Sequence, residues 1–121
     1  MINKLYAVCL LVTDFDKSLH FYQNILGLKL NSQDNKYADF KLGDTLIAIF
    51  QKDDATVMFP EKHMAKSGGV ALAFQVKDIN KACEELKSKG INIFEGPKMT
   101  TWGQEVAYFK DLDNHIWEIT S

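Results

Sequence analysis

The amino-acid sequence predicts an α+β fold built from two β-α-β-β-β modules. The first observation behind this prediction is an internal repeat: residues 12–15 and 76–79 both read Val-x-Asp-hydrophobe and start 64 positions apart. The second is that an apolar, strand-like run precedes each copy. The third is that a helix-like stretch follows each copy and stops at a glycine, Gly27 or Gly90. Two such modules, when paired, are expected to form a curved mixed sheet around a cleft.

The first module begins with the apolar run 5–12, which is typical of a strand covered on both faces. Asp14 then occupies a helix N-cap, because its carboxylate can accept hydrogen bonds from first-turn N–H groups. Apolar residues at helical spacing follow, namely Phe15, Leu19, Tyr22 and Leu26. Gly27 ends this helix, since glycine adopts the left-handed C′ conformation without penalty. Short strands are predicted at 28–30, 37–42 and 45–50, with a turn signal at residues 34–35.

The second module repeats this order. Residues 70–76 are predicted as a strand, Asp78 caps a helix that runs through Lys89, and Gly90 ends it. Three further strands are expected, at 91–94, 105–110 and 116–119. The 121 residues indicate one domain, 1–121, with module one at about 1–50, a connecting loop at about 51–69 and module two at about 70–121. The loop contains Met58, Phe59, Met64, Pro60 and Gly68-Gly69, and it can close over a bound molecule.

Composition excludes several classes of protein. A net charge of −2 and a pI near 5.9 oppose a nucleic-acid partner, which requires a basic face. No apolar run reaches the ~18–20 residues that cross a membrane, and no signal peptide pattern opens the chain, so the expected location is cytoplasmic. Cys9 and Cys83 do not form a disulfide framework. Cys83 falls on an apolar helix stripe and is expected to be buried, whereas Cys9 has no identifiable base to make it a nucleophile.

Strand alternation predicts which side chains face away from the helices, although a one-residue slip in register would reverse the assignment. This face needs cover, which pairing of the modules within one chain or across a homodimer would provide. Its expected residues are Leu5, Ala7, Cys9, Leu11, Leu46, Ala48, Phe50, Ala71, Ala73, Ile116, Glu118 and Thr120.

Five motifs together carry a family resemblance. They lie at residues 12–15, 21–30, 74–78, 101–103 and 109–119, and the Phe-Tyr-x-x-x-Leu-Gly-Leu block combined with the acidic turn and Glu-hydrophobe ending is specific. With these motifs the chain resembles the vicinal oxygen chelate superfamily. That superfamily includes glyoxalase I, extradiol dioxygenases, fosfomycin resistance enzymes and bleomycin resistance proteins. The resemblance covers nearly the whole chain.

Metal-dependent members of that superfamily place one ligand, usually His, Gln or Glu, on each of four strands. The resemblance assigns these four positions to Ala7, Ala48, Ala71 and Glu118 of this chain. An alanine methyl group cannot coordinate a metal, and one carboxylate does not hold a transition ion against water. We therefore expect neither a metal ion nor another cofactor.

The three histidines are not expected to rebuild such a site, although the loop residue His63 could reach a pocket. His20 lies off the main apolar stripe of the first helix and His63 lies in the connecting loop, where an exposed side chain is the expected state. His115 lies in a tight acidic turn where the family pattern has Asn. Asn114 stands there in place of a family glycine, and Asn tolerates the glycine-like conformation.

Superfamily members that lack the ligands include the bleomycin resistance proteins, which are dimeric and sequester a drug in a cleft. The resemblance therefore implies a metal-free homodimer that binds a small hydrophobic, aromatic or cationic molecule, with antibiotic resistance as the model. Small side chains leave volume, and aromatic walls stack on flat molecules. The candidate ligand-binding residues are Trp102, Cys9, Phe50, Ala7, Ala48, Ala71 and Tyr108, with Phe40 and Phe59 as weaker candidates. Trp102 either forms a wall of the cleft or seals its loop onto the core, and Trp117 is expected in the core.

Glu118 has three interpretations. It binds a cationic or amide-bearing ligand, it acts as the general base of a metal-free isomerase or lyase, or it is an inherited carboxylate satisfied by a neighbouring hydroxyl. The alternative function is accordingly a glyoxalase- or dioxygenase-like lyase or oxidoreductase with a rebuilt or metal-free site that uses Glu118. A third interpretation of the protein's function is a structural or regulatory module that senses a ligand.

Overall fold

The computed structural model describes residues 5–63 and 70–121, which form two compact units, one on each side of residues 64–69. Unit 1 contains β1 (Ala7–Val12), α1 (Phe15–His20), β2 (Leu30–Asp34), β3 (Tyr37–Leu42) and β4 (Thr45–Gln51). Unit 2 contains β5 (Ala71–Gln75), α2 (Ile79–Ser88), β6 (Glu95–Met99), β7 (Glu105–Lys110) and β8 (Ile116–Thr120). The predicted α+β class and the β-α-β-β-β order of each module are confirmed.

The two sheets share one topology. In unit 1 the strand order is β1-β4-β3-β2, and in unit 2 it is β5-β8-β7-β6. The first strand of each unit pairs in parallel with the last, and the other neighbouring pairs are antiparallel. Each sheet is therefore mixed, with a helical crossover between its first strand and the following hairpins.

Both predicted N-caps are present. The Lys17 backbone N–H donates to Oδ1 of Asp14 at 3.1 Å, and the Lys81 N–H donates to Oδ1 of Asp78 at 3.1 Å. The two caps have nearly the same extended backbone, φ −132° and −133°. The repeat identified in the sequence therefore corresponds to a repeated local structure, in which an aspartate satisfies a free N–H of the first helical turn.

The first helix differs from the regular helix predicted as far as Gly27. After α1 the chain continues as a π-helical segment, Phe21–Ile25. A π-helical turn is wider than an α-helical turn, so the side chains that follow it point in a different direction around the helix axis. Phe21 and Tyr22 are both buried as a result. Leu19 and Leu26, which lie on the predicted stripe, are only partly buried. Gly27 does take the left-handed conformation that ends the helix, with φ +74°.

Two strand predictions needed correction. The predicted strand at 28–30 is β2, which begins at Leu30 and continues to Asp34. The tight turn follows it at Asn35, which has φ +51°. The predicted strand at 91–94 is wrong. The Ile91 N–H donates to the Leu86 carbonyl at 3.0 Å and closes the helix end, and the strand follows it as β6. Gly90 ends α2 as predicted, with φ +87°.

The core of each unit lies between its sheet and its helix. The buried strand residues that alternate toward the helix are Leu10, Val12, Ala38, Phe40, Ile47 and Ile49 in unit 1 and Ala107, Phe109, Trp117 and Ile119 in unit 2. Asp39, Ala48 and Val106 are also buried, but they alternate to the opposite face of their sheets. Trp117 and Cys83 are buried as predicted. Phe40, a weaker ligand candidate, belongs to this core, where its ring lies 6.1 Å from that of Tyr22.

The predicted connecting loop, 51–69, is described as far as residue 63. It contains two short 3-10 turns, Asp54–Val57 and Glu61–His63, with Ala55 buried and Phe59 half-buried. Its remaining predicted features, Met64 and Gly68-Gly69, lie outside the described residues. None of the helices in 5–63 or 70–121 is long and apolar enough to cross a membrane.

Candidate functional site

The candidate site of unit 1 is the sheet face whose side chains alternate with the buried core residues, here called distal face 1. Strand register arranges it in three rows across the sheet. The rows are Ala7–Leu46–Lys41, Cys9–Ala48–Asp39–Ser32 and Leu11–Phe50–Tyr37–Asp34. The predicted lining residues from β1 and β4 therefore share one face. They are apolar or small, and the polar side chains come from β2 and β3.

Asp39 is the most enclosed polar group of distal face 1, with 5% of its surface exposed. Its Oδ1 accepts hydrogen bonds from the Asn31 amide and the Ser32 hydroxyl, each at 2.9 Å. Its Oδ2 accepts from the Tyr37 hydroxyl at 2.7 Å. Burial alone would raise the pKa of this carboxyl, but the hydrogen bonds from Asn31, Tyr37 and Ser32 outweigh it and lower the pKa. Asp39 is therefore a carboxylate at neutral pH.

Tyr37 is held by the same network. Burial and the hydrogen bond to Asp39 raise the pKa of Tyr37, so its hydroxyl keeps its proton and stays a donor. The Tyr37 ring meets the Phe50 ring edge to face, with 5.9 Å between centroids and 83° between planes. Both side chains remain partly exposed. The pair forms an aromatic surface of fixed orientation.

Distal face 2, the equivalent face of unit 2, has rows Ala71–Ile116–Lys110, Ala73–Glu118–Tyr108–Glu95 and Gln75–Thr120–Val106–Lys98. Ala73 and Tyr108 flank Glu118 on the neighbouring strands. The predicted residues Ala71, Glu118 and Tyr108 thus lie on one face.

Glu118 and Tyr108 are directly bonded. The Tyr108 hydroxyl donates to Oε2 of Glu118 at 2.8 Å. This hydrogen bond, with a smaller contribution from burial, raises the pKa of Tyr108. The Phe94 ring lies 6.1 Å from the Tyr108 ring, and the Lys110 ammonium lies 5.3 Å from the Phe94 centroid. Glu118 is consequently satisfied by a hydroxyl of its own unit and sits beside an aromatic pair.

The residues at the predicted ligand positions do not fit a metal ion. Ala7 lies opposite Leu46 and Ala48 lies between Cys9 and Asp39, while Ala71 lies opposite Ile116. Across residues 5–63 and 70–121, no group of three or more His, Cys, Asp or Glu side chains is arranged to hold one. A divalent ion needs several convergent N or O donors.

Trp102 lies apart from the strand rows, in the turn that precedes β7. It is 70% exposed, and its indole N–H donates to the Gln104 side chain at 3.0 Å. The Trp102 side chain is therefore not packed against the core of its own unit. Cys9 is exposed at the edge of distal face 1, and partial desolvation raises the pKa of its thiol, which disfavours the nucleophilic thiolate.

The three histidines lie outside the strands that form the two distal faces. His20 and His63 are exposed. His115 Nδ1 lies 2.7 Å from Oδ2 of Asp111, whose Oδ1 accepts from the backbone N–H groups of Asp113 and His115. This arrangement holds the turn before β8, and Asn114 takes φ +65° within it, as its place in the turn predicts.

Sequence reasoning missed Tyr37 and Asp39. Both lie on β3, whose range was predicted correctly, and the alternation Tyr37-Ala38-Asp39-Phe40 contains the signal. Since Ala38 and Phe40 are buried toward the helix, the polar members of this strand must face the other way.

Comparison with known proteins identifies the family. Residues 5–121 match the glyoxalase-like domain family. This protein belongs to that family. The uncharacterized protein YraH of Bacillus subtilis is 32% identical over 96% of this chain and 96% of its own. A metallothiol transferase, FosB of Staphylococcus saprophyticus, is 27% identical over 98% of this chain and 77% of its own.

The fold agrees with this assignment. A crystal structure of a glyoxalase/bleomycin resistance protein/dioxygenase from Nocardioides superimposes with a TM-score of 0.84 at 23% identity, covering 99% of this chain and 83% of that one. The family match over residues 5–121 and the sequence relatives confirm membership in the vicinal oxygen chelate superfamily, which the motifs predicted. The four positions that the motifs assign to the family's metal ligands carry three alanines and Glu118, which accepts a hydrogen bond from Tyr108.

Proposed function

We propose that this glyoxalase-family protein binds a small, flat, hydrophobic or aromatic molecule without using a metal ion. The observation that carries the proposal is the state of the four family ligand positions: Ala7, Ala48 and Ala71 offer no donor atom, and Glu118 already accepts from Tyr108 at 2.8 Å. Family members with a metal-dependent activity need donors at these positions, so a binding role without metal is the function best supported by the side chains present.

The composition of the distal faces supports a flat ligand. Distal face 1 presents Leu11, Phe50 and Tyr37 in one row, and distal face 2 places the Phe94 and Tyr108 rings 6.1 Å apart. Apolar surface with a few fixed polar groups is the usual lining of a small-molecule site. The exposed Trp102 supplies a further aromatic surface.

Fluorescence titration tests the proposal. The two tryptophans differ in exposure, 70% for Trp102 and 2% for Trp117, so a ligand that stacks on Trp102 quenches mainly that residue. We expect a planar aromatic compound to quench wild-type emission saturably, and the quenching to be lost in Trp102→Ala. Trp117→Phe is the matched control, because it removes the core indole and leaves Trp102. Absence of saturable quenching by every member of a series of planar probes, with or without added divalent metal, would count against the proposal.

A second function is favoured by one observation, the Tyr108–Glu118 pair. A carboxylate hydrogen-bonded to a phenol can supply the base and the acid of a metal-free lyase or isomerase. The relative FosB is named a metallothiol transferase, so relatives of this chain include enzymes. Calorimetry separates the two functions. A substrate would release heat continuously with turnover, and Glu118→Gln would abolish that heat, whereas a ligand would give a titration that saturates.

We also propose that the protein is a homodimer. Large apolar side chains are exposed near the starts of β1 and β5, where Leu5 is 62%, Tyr6 73% and Val70 68% exposed. Apolar surface of this kind commonly marks a protein–protein contact. Sedimentation velocity should give twice the chain mass of 13.8 kDa, and Tyr6→Lys should shift the protein toward monomer. A monomer at all concentrations would contradict this.

A further inference from the structure

We propose that distal face 1 recognises a positive charge on the flat ligand, with the rings of Tyr37 and Phe50 as the contact surface and Asp39 as the complementary charge. This inference rests on the proposed function and makes it more specific: the ligand class becomes planar aromatic cations, such as quaternised heteroaromatic rings. It also assigns a role to Tyr37, Asp39 and Phe50, none of which lies at a position predicted for a metal ligand of the family.

The first supporting observation is that Asp39 is a buried carboxylate surrounded by neutral donors. Its three hydrogen bonds come from Asn31, Ser32 and Tyr37. No lysine or histidine of the described chain forms an ion pair with it. Buried charges are normally paired with an opposite charge. The negative charge at this place therefore favours an external cation.

The second observation is the aromatic pair attached to that carboxylate. The Tyr37 hydroxyl donates to Asp39 at 2.7 Å while its ring packs edge to face with Phe50. A cation close to an aromatic face is attracted by the ring quadrupole, and more strongly when it is shielded from water. The hydrogen bond fixes the tyrosine ring, so less conformational freedom is lost when a ligand stacks on it.

The third observation concerns the size and the charge of the side chains that surround Tyr37 and Phe50 on distal face 1. The row that contains Asp39 continues through the buried Ala48 to the exposed Cys9, and both of these side chains are small. Other charged side chains on the face are the exposed Lys41, two residues beyond Asp39, and the exposed Asp34, opposite Tyr37. One lysine against two carboxylates leaves the face negative, which complements a cation.

Asp39 also has a structural role, because it accepts hydrogen bonds from Asn31, which lies within the register shift between Leu30 and Ser32, and from Ser32, which borders that shift. A purely structural role would affect a charged and an uncharged ligand equally. The decisive readout is therefore the ratio of two affinities, measured with probes of the same shape and different charge.

The experiment titrates the protein with 1-methylquinolinium and, separately, with its uncharged isostere 1-methylnaphthalene. Binding is measured by equilibrium dialysis with the absorbance of the probe, because both tryptophans lie in unit 2 and distal face 1 belongs to unit 1. We expect the cation to bind about tenfold more tightly than the isostere. In Asp39→Asn this preference should disappear while the isostere keeps its wild-type affinity. Asp44→Asn, in the exposed turn between β3 and β4, is the matched control and should keep the preference.

The outcomes separate the inference from the proposed function. Equal binding of both probes by the wild-type protein overturns the inference and leaves a flat-ligand site intact. Binding of neither probe counts against both. If Asp39→Asn fails to fold, as judged by circular dichroism, Tyr37→Leu replaces it. That variant keeps the Asn31 and Ser32 bonds to Asp39 and should reduce affinity for the cation more than for the isostere. An unchanged ratio would overturn the inference.

Discussion

Tyr108 and Glu118 form a hydrogen bond across β7 and β8, with 2.8 Å between the phenolic oxygen and Oε2. The two residues are directly opposite in the strand register. The bond links Glu118, the one carboxylate at the positions predicted for the family's metal ligands, to a neutral donor of the same unit. It also gives Glu118 a partner that does not depend on metal, ligand or a second chain.

The first prediction concerns the titration of Tyr108. Since the hydrogen bond to Glu118 raises the pKa of Tyr108, Glu118→Gln should lower that pKa toward the usual tyrosine value of about 10. Nuclear magnetic resonance of tyrosine labelled at Cζ follows the change, and Tyr108→Phe assigns the signal. A raised pKa contributes stability that is complete below the usual tyrosine pKa and is lost as pH rises through the raised value. Glu84→Gln, on the exposed side of α2, should leave the Tyr108 signal unchanged. An unaltered Tyr108 titration in Glu118→Gln would contradict the assigned bond.

The second prediction concerns the pH dependence of stability. The hydrogen bond to Asp111 raises the pKa of His115 despite partial burial, so the protonated imidazole stabilises the folded state. This contribution is complete below the unfolded histidine pKa of about 6.5 and is lost as pH rises through the raised folded value. Urea unfolding should show His115→Gln destabilised by about 1–2 kcal/mol at pH 5.5 and by less at pH 9. His20→Gln removes an exposed histidine without touching Asp111 and serves as the control. A destabilisation by His115→Gln that grew with pH would refute the prediction.

The third prediction compares two glycines with almost the same backbone. Gly96 and Gly103 have φ +85° and +88°. A Cβ at Gly96 would overlap the Val106 carbonyl oxygen and lie 2.9 Å from Cα of Ala107, whereas a Cβ at Gly103 meets nothing within 4 Å. Gly103→Ala should cost only the left-handed strain, about 1 kcal/mol, and Gly96→Ala about 2–4 kcal/mol because β7 must move. Denaturant unfolding of both variants measures the difference. Equal costs would mean that β6 and β7 are not packed as described.

The fourth prediction uses the contrast between the tryptophans. Iodide is a charged quencher that reaches exposed indoles, so it should quench Trp102, which is 70% exposed, and spare Trp117, which is 2% exposed. Removing Trp102 by substitution with Phe should abolish most of the iodide quenching and leave a blue-shifted emission. Strong iodide quenching that survives in Trp102→Phe would contradict the burial of Trp117.

Features with a short-range cause were predictable from the sequence. Asp14 and Asp78 cap their helices, and Gly90 ends α2, because each acts on atoms within a few residues of itself. The range of β3 was also exact, since its alternation is regular and turn residues bound it.

Features that depend on distant atoms were not predictable. The π-helical segment Phe21–Ile25 brings both Phe21 and Tyr22 into the core, which a helical stripe of constant period does not anticipate. Strand β6 begins after the predicted position because the Ile91 N–H donates to the Leu86 carbonyl at the end of α2. The same residue therefore cannot begin the strand. The Asp39 network needs the β2–β3 register shift, which brings Asn31 and Ser32 to one carboxylate oxygen.

We propose that the four positions assigned to the family's metal ligands, Ala7, Ala48, Ala71 and Glu118, hold no metal ion in this protein. Elemental analysis by inductively coupled plasma mass spectrometry, on protein purified without chelator and dialysed against buffer containing Zn²⁺, Ni²⁺ and Mn²⁺ before desalting, tests it most directly. With alanine at three positions and Glu118 bonded to Tyr108, we predict no metal retained at a stoichiometric level. Retention of about one transition ion per chain, lost in Glu118→Gln, would contradict the account.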